Sequence, residues 1–596
     1  ASRTLPHSLL TATPQDFPLF LDTRQWLALL MRSVADKVPP GAPAQVCACF
    51  LAAAGRAQVD ANSLDSNEHA PFQAPAQAVA PLETQDDENA NAVEIDVAVF
   101  TSQMWPRMMS RHKGAAASSA APIAQAKLGS KGQSVERNLS ASAVFSEIMS
   151  IIKGSASALR TKRGYLSREE YLALPAKIGA VTGSASIRTE LYDLFVRYQD
   201  VQKELGFYDL CDVVFAAHAG LVVWKAALGG TRALPIHAIF VDEVQDCSQG
   251  LIKTFLSACS DPNGLFLAGD TCQTIAKGVG GFRFEDLRSM FYAEREHQLS
   301  GEGDEVKLFS GDSRLVAVPP LLQLGTNYRS HNGVLRCANV LVSLLVELFP
   351  SSVDRMRLEE SKTPGERPML LPDVTPLELF YLIHRGKEST APAEFGANQC
   401  IIVRNLETQE KVRIDFPKAL VMTVEECKGL EFEDCIIYNF FSDSDAGVRV
   451  LWLGVLSWAK KLLLKVQDSN DSGDMAVKEM RGVLGSLADA DGESKLLECA
   501  FSSSFRGSVA DKNELPAFEP SKYYIMCEEL KALYVSVTRA KKRVVFFDED
   551  EAKRAPFFEL LERAQVANKI SLDARQQLAS EGSSSLAQAS TPQEWR

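Results

Sequence analysis

The apolar positions of this chain change period several times. Near the start, "FPLFLDTRQWLALLMRSV" spaces its large side chains as a short strand followed by a helix. Helical spacing returns in "SEIMSIIKGSASAL" and "IRTELYDLFVRYQDVQKEL". Two short apolar runs, "AIFVDE" and "GLFLAGD", flank a helix-like stretch, which is the strand–helix–strand rhythm of a parallel sheet. The rhythm resumes in "CIIVRN", "ALVMTVEE", "CIIYNFF" and "KRVVFFDED". Between these blocks the pattern dissolves. Residues from Gly55 to about 94, and from Gly114 to about 136, are rich in Ala, Gln, Pro, Ser and Asn. They carry too few large apolar groups to offset chain entropy and read as disordered insertions. A further polar insertion covers roughly 465–520, and the tail beyond about 570 is rich in Ser, Ala and Gln. The predicted class is α/β, with no internal repeat of 20–50 residues.

Length and charge narrow the picture. A chain of 596 residues exceeds one core and predicts two to four domains. The net charge of −13 excludes a general polycation, so any nucleic-acid contact must use local basic clusters. Twelve cysteines show no CxxC or Cys/His ligand spacing, which argues against a zinc site and a secreted disulfide scaffold. No uninterrupted apolar run reaches the ~18 residues that span a bilayer; "VLWLGVLSW" comes nearest and reads as a core helix. With no leader-like start, the expectation is a soluble intracellular protein of nucleus or cytoplasm without a membrane partner.

The chemistry concentrates where apolar runs end. In parallel sheets, ligands bind at the carboxyl ends of strands. Asp242 and Glu243 close "IFV", and Asp270 closes "LFLAG". For phosphoryl transfer the first carboxylate of such a pair can hold Mg²⁺ through water, and the second can orient and deprotonate the attacking water. The plainer reading is an exposed strand-to-helix turn, with Asp246 as a charge at the helix start. Gln273 in "GDTCQ" is equally open to reading as a simple turn.

The order of the downstream segments decides between these. "VDEVQD", "LAGDTCQTI", "LGTNYRSHNGVLRCAN", "ALVMTVEECKGLEFEDCIIYNFF" and "LKALYVSVTRAKKRVVFF" resemble motifs II, III, IV, V and VI of superfamily 1 helicases of the UvrD/Rep type, over most of residues 237–548. Segments outside the motifs, such as "FGANQCIIVRN" and "STPQEW", are similar to a branch of large repeat-containing proteins. The resemblance implies two RecA-like P-loop NTPase lobes, the first incomplete, with a mostly helical insertion. Lobe 1 would comprise residues 1–54 and 231–318, the helical accessory insertion 55–230, lobe 2 residues 319–560, and the tail 561–596. It implies ATP and Mg²⁺ as cofactors, single-stranded DNA or RNA as partner, and protein partners through repeats outside this chain. Asp242 and Glu243 would hold Mg²⁺ and activate water, with Asp270 on the nucleotide side. Gln273 would sense the γ-phosphate. Arg329 and Arg539 would reach it from the second lobe, where a guanidinium can be worth about 10³–10⁵ in rate. As an ordinary surface ion pair, either arginine would contribute only about 0–1 kcal/mol. Gly429 and Glu431 would line the nucleotide, Thr423 would meet a nucleic-acid phosphate, and Phe282 and Arg283 would track the strand. Tyr328 and Phe432 are expected in the core.

Three departures qualify the resemblance. No GxxxxGK[ST] phosphate-binding loop occurs, and the chain is expected to begin after it. Glu425 stands where relatives often carry His, which is unfavourable beside a phosphate backbone. Fewer than a hundred residues separate "NYRS" from "MTVEE", where UvrD-type enzymes insert a domain, so translocation is expected rather than processive unwinding. The competing expectation is a catalytically impaired pseudo-helicase serving as a nucleotide-responsive protein scaffold. A GTPase or other phosphate-binding α/β domain leaves the last three motifs unexplained.

Overall fold

The computed structural model describes residues 5–64, 93–116, 141–175, 185–227, 234–275, 283–300, 315–375, 398–444 and 524–570, with Leu379 and Trp452, apart from positions 14, 235, 262, 373 and 418. The chain divides into two compact units. The first comprises Ala1–Asp270 and Lys277–Pro320; the second comprises Thr271–Ala276 and Leu321–Arg596. The division at 320/321 falls close to the predicted 318/319, but the short Thr271–Ala276 segment groups with the second unit.

In the first unit, helix α1 (Thr23–Val34) starts at Asp22, whose carboxylate accepts from the Gln25 N–H at 2.8 Å while the Gln25 side chain accepts from the Asp22 N–H at 3.1 Å. This reciprocal cap satisfies two amides that the helix cannot. The strand expected before α1 does not form a ladder among the described residues. Its alternation is real, however: Phe17, Leu19 and Leu21 pack on the core while Phe20 is exposed. Helix α2 (Ala42–Leu64) runs ten residues into the stretch read as disordered, and α3 (Trp105–Ala116) runs three residues into the next. Alanine-rich sequence has helix propensity enough to extend a helix already anchored by packing. The remainder of those tracts, the 465–520 insertion and the tail beyond 570 lie outside the described residues, as does all of "VLWLGVLSW" except the buried Trp452.

Helices α4 (Ala141–Glu147), α5 (Ala185–Leu205) and α6 (Leu210–Ala227) follow. Phe100, Phe145, Ile148, Leu191, Phe195 and Tyr198 form a helical sub-core. The accessory insertion predicted for 55–230 is thus only partly separate. Helix α6 contributes Cys211 to this sub-core but Val213, Val214, Ala217 and Leu221 to the main core with Trp26, Leu30 and Phe50. By length and composition α6 could cross a membrane, contrary to the reading of the apolar runs, yet these side chains are buried among protein neighbours. A buried ion network fastens its start. Lys153 Nζ reaches Asp209 and lies 2.6 Å from Asp212 Oδ1, and the Tyr198 hydroxyl donates to Asp209 at 2.7 Å. Burial works to strip the Lys153 proton, but the two carboxylates more than offset it and raise the pKa.

Strands β1 (Ile239–Val241) and β2 (Leu265–Leu267) pair in parallel around helix α7 (Gln249–Ala258), as the sequence predicts. They are not sandwiched. Ile239, Val241, Leu265 and Leu267 pack inward, whereas Phe240 is 77% and Phe266 59% exposed, their rings 5.6 Å apart. Among the described residues each strand has the other as its one ladder neighbour. Helix α8 (Phe284–Ser300) closes the main core with Leu287, Met290 and Phe291.

The second unit opens with α9 (Asn332–Leu348) and centres on one parallel sheet. Its strands are β3 (Met369–Leu371), β4 (Gln399–Val403), β5 (Val421–Thr423), β6 (Phe432–Tyr438), β7 (Ala540–Phe547) and β8 (Asn568–Lys569). Their spatial order is β5-β4-β6-β7-β3-β8. Side chains alternate between two cores, as the pleat requires. Cys400, Ile402, Cys435, Ile437, Val544 and Phe546 face α9 and helices α11 (Tyr524–Thr538) and α12 (Glu551–Arg563). Ile401, Val403, Ile436, Tyr438, Val545 and Phe547 face the side covered by Val412 and Phe416 of helix α10 (Leu406–Asp415) and its C-cap. The tail read as starting at 561 begins later, because Leu561, Val566 and Ala567 are core and β8 adds an edge strand. The chain is α/β, with parallel sheets in both units.

Candidate functional site

The first unit carries one group of predicted residues. Asp242 is exposed just beyond β1, and its Oδ1 accepts from the Glu243 N–H at 3.0 Å. Glu243 is half-buried, with φ +52, a left-handed conformation that costs a side-chain-bearing residue about 1–2 kcal/mol. Its carboxylate accepts from the amide of Gln245, a residue the sequence reading passed over. The Gln245 amide oxygen in turn accepts from the Asp270 N–H at 3.1 Å. So the ends of β1 and β2 are tied, helped by Val244 N–H donating to the Ala268 carbonyl at 2.9 Å. Asp246 belongs to a 3₁₀ turn; the cap of α7 is Ser248, whose hydroxyl accepts from the Leu251 N–H at 3.2 Å. Arg283 is engaged by Asp286 within the first turn of α8, at 2.7 Å, and by Glu285 at 3.8 Å. Phe282 lies outside the described residues.

In the second unit, segments far apart in sequence converge. Gln273 sits in a 3₁₀ turn, Thr271–Gln273, whose Cys272 is fully buried in that unit's core. Arg539, 1% exposed, donates to Gln273 Oε1 at 3.0 Å, to the Leu430 carbonyl at 3.1 Å and to the Val535 carbonyl at 3.1 Å. Lys428 Nζ donates to the Gln273 carbonyl at 2.8 Å. Gly429 presents Leu430 from a turn with φ +79. Beside this, Arg329 Nε lies 2.8 Å from Glu431 Oε2, and Lys541 Nζ lies 2.6 Å from its other oxygen. The hydrogen bond from Lys541, with Arg329 adding to it, holds the Glu431 carboxyl below the usual range. The Arg329 loop is rigidly placed: the Asn327 side chain accepts from the N–H groups of Arg329 and Ser330 at 2.9 Å, and the Ser330 hydroxyl donates to the Ala540 carbonyl at 2.6 Å. Asn327, Ser330, Lys428 and Lys541 were not predicted. A motif reading scores one position at a time, and these act through the pairs they make.

Two expectations are corrected. Tyr328 is not core but 84% exposed, because the Asn327 turn aims the chain outward; Phe432 is buried as expected. Thr423 does not offer a surface hydroxyl: it is 5% exposed, and its Oγ1 accepts from the Glu426 N–H at 3.2 Å in the turn after β5. It also lies apart from the other group. Val403 is level with Thr423, and Ile402 with Ile437, so Thr423 stands level with Tyr438, six residues along β6 from Phe432. At the rise of a strand that is about 20 Å. Glu431 and Arg539 precede the first residues of β6 and β7, the amino edge of the sheet, whereas Asp242, Glu243 and Thr423 lie at carboxyl edges.

Among the described residues no cluster of three or more His, Cys, Asp or Glu forms a ready metal cage. A single exposed carboxylate such as Asp242 fits Mg²⁺ held through water, since that ion keeps most of its hydration and takes remaining ligands from phosphates.

These features define an α/β protein with two clustered groups of polar residues, one in each unit. No family model matches the sequence. The chain is similar to human TPR and ankyrin repeat-containing protein 1, with 32% identity over 518 residues, which is 86% of this chain and 15% of that protein. It therefore spans a small part of the length of that relative.

Proposed function

We propose that this chain is the ATPase region of a UvrD-like superfamily 1 helicase or single-strand translocase, with RecA-like lobes that couple ATP hydrolysis to nucleic-acid remodelling. The observation that carries this reading is the convergence of Gln273, Arg539, Gly429–Glu431 and Arg329 in one unit, although Gln273 and Arg539 are 266 residues apart. The group brings two arginines, a glutamine and a left-handed glycine together from four segments. In this reading Asp242 holds Mg²⁺ through water and Glu243 orients and deprotonates the attacking water. The ion would supply charge neutralisation on the phosphates. Arg329 and Arg539 would offer their guanidinium groups to phosphate oxygens, and exposed Tyr328 offers a ring for a nucleobase to stack on. The relative's name, with its TPR and ankyrin repeats, supports protein partners through repeats outside this region.

A second reading has its own support. The sequence holds no GxxxxGK[ST], and each of the three side-chain nitrogens of Arg539 already donates to a protein group. That suits a nucleotide-responsive scaffold that does not turn ATP over. The deciding measurement is ATP turnover, with and without single-stranded DNA and RNA, by a protein that holds both this chain and a GxxxxGK[ST] loop, because without that loop this sequence alone is not expected to turn ATP over. The motor reading expects stimulation that weakens with salt, and losses of about 10³-fold in Glu243→Gln and Arg539→Ala. Nucleotide-dependent protease protection without turnover would instead favour the scaffold.

A further inference from the structure

We propose that Gln245 is a positioning residue for Glu243, and that Gly269 provides the clearance this requires; the inference rests on the reading of Glu243 as the base. Gln245 is 0% exposed, and its side chain ties the carboxylate at the end of β1 to the backbone at the end of β2. The orientation of its amide is fixed by chemistry. The Asp270 N–H can only donate, so the Gln245 oxygen must face it, and the NH₂ group must face Glu243. Glu243 needs such a restraint. Its φ of +52 leaves it in a conformation that neighbouring structure has to enforce, and one of its oxygens must be held still if the other is to aim at a water. Gly269 completes the arrangement. A Cβ there would fall 2.3 Å from the Gln245 amide oxygen and 3.1 Å from Val244 Cγ1. Alanine at 269 must therefore push the Gln245 amide off its acceptor geometry, and none of the three atoms nearest its Cβ belongs to Glu243.

A glutamine serving only to satisfy loop polar groups makes different predictions, and this separates the two. Stimulated ATP turnover is measured on the same loop-bearing protein as wild type, Gln245→Leu, Gln245→Glu and Gly269→Ala, with kcat, KM for Mg·ATP and melting temperature for each. The positioning role expects kcat to fall about 10–100-fold in Gln245→Leu and Gly269→Ala, with KM within about twofold of wild type. Gln245→Glu keeps an acceptor for the Asp270 N–H but sets a carboxylate against Glu243 in place of the amide donor, so its kcat falls at least as far as that of Gln245→Leu. Wild-type kcat in Gln245→Leu overturns the proposal. So does a fall in kcat matched by a rise in KM and a loss of melting temperature in both Gln245→Leu and Gly269→Ala. A wild type that never hydrolyses ATP removes the base reading and this role with it, whereas active wild type with equally active variants removes this role alone.

Discussion

Gly429 shows how one backbone angle can serve a site. Its φ of +79 lets the chain turn ahead of β6 and deliver the Leu430 carbonyl to Arg539. A Cβ at this position would meet nothing within 4 Å, so the cost of adding one is purely conformational. Gly429→Ala is therefore expected to destabilise the second unit by about 1–2 kcal/mol in urea titration, with no change in m-value. In "KGLEF" the resemblance singled out this glycine as lining the nucleotide, whereas its part in the turn ahead of β6 shows only in its backbone angle. Arg539 was legible as an important cation but not as a buried one. Nothing in "VTRA" reveals that Gln273 and two carbonyls occupy its donors. Tyr328 misled for a related reason, since an aromatic between a strand-like run and a helix is ordinarily core.

The elements themselves were read well where their period was strong. β1, β2, β4, β5, β6 and β7 lie where alternating or continuous apolar runs end in turn residues. β3 and β8 were missed because three and two residues carry too little periodicity, and only pairing with β7 and with each other makes them strands. Helix α6 is the instructive case. Its apolar surface looked like an insertion helix and is in fact shared between two cores, a property of packing that no single stretch of sequence encodes. Lys225 sits near its end, 5% exposed, and burial pushes its pKa down to about 8. The unfolded chain holds that proton more tightly, so the contribution of Lys225 to stability is complete above about pH 10.5 and is lost as pH falls through about 8. Lys225→Met is expected to stabilise the first unit at neutral pH by on the order of 2 kcal/mol. It is also expected to flatten the rise in wild-type stability between those two pH values, as followed by thermal melts across pH.

At the scale of the molecule, each unit holds its own cores: the main core and helical sub-core in the first, and two cores flanking the six-stranded sheet in the second. Among the described residues the cores of the two units share no side chains, so they need not melt together, and calorimetry is expected to resolve two transitions rather than one. Gly429→Ala should lower one of them and Lys225→Met should raise the other, which assigns each transition to its unit. A single transition moved by both substitutions would show that the units unfold as one. The short two-stranded sheet of the first unit has a practical consequence as well. Among the described residues, Phe240 and Phe266 leave on the order of 10² Å² of aromatic surface exposed beside strand edges that carry no further ladder. Such a surface is adhesive. Concentrated protein will tend to stick to itself there first, so dilute handling, or a lysine in place of Phe266, is the route to a well-behaved sample.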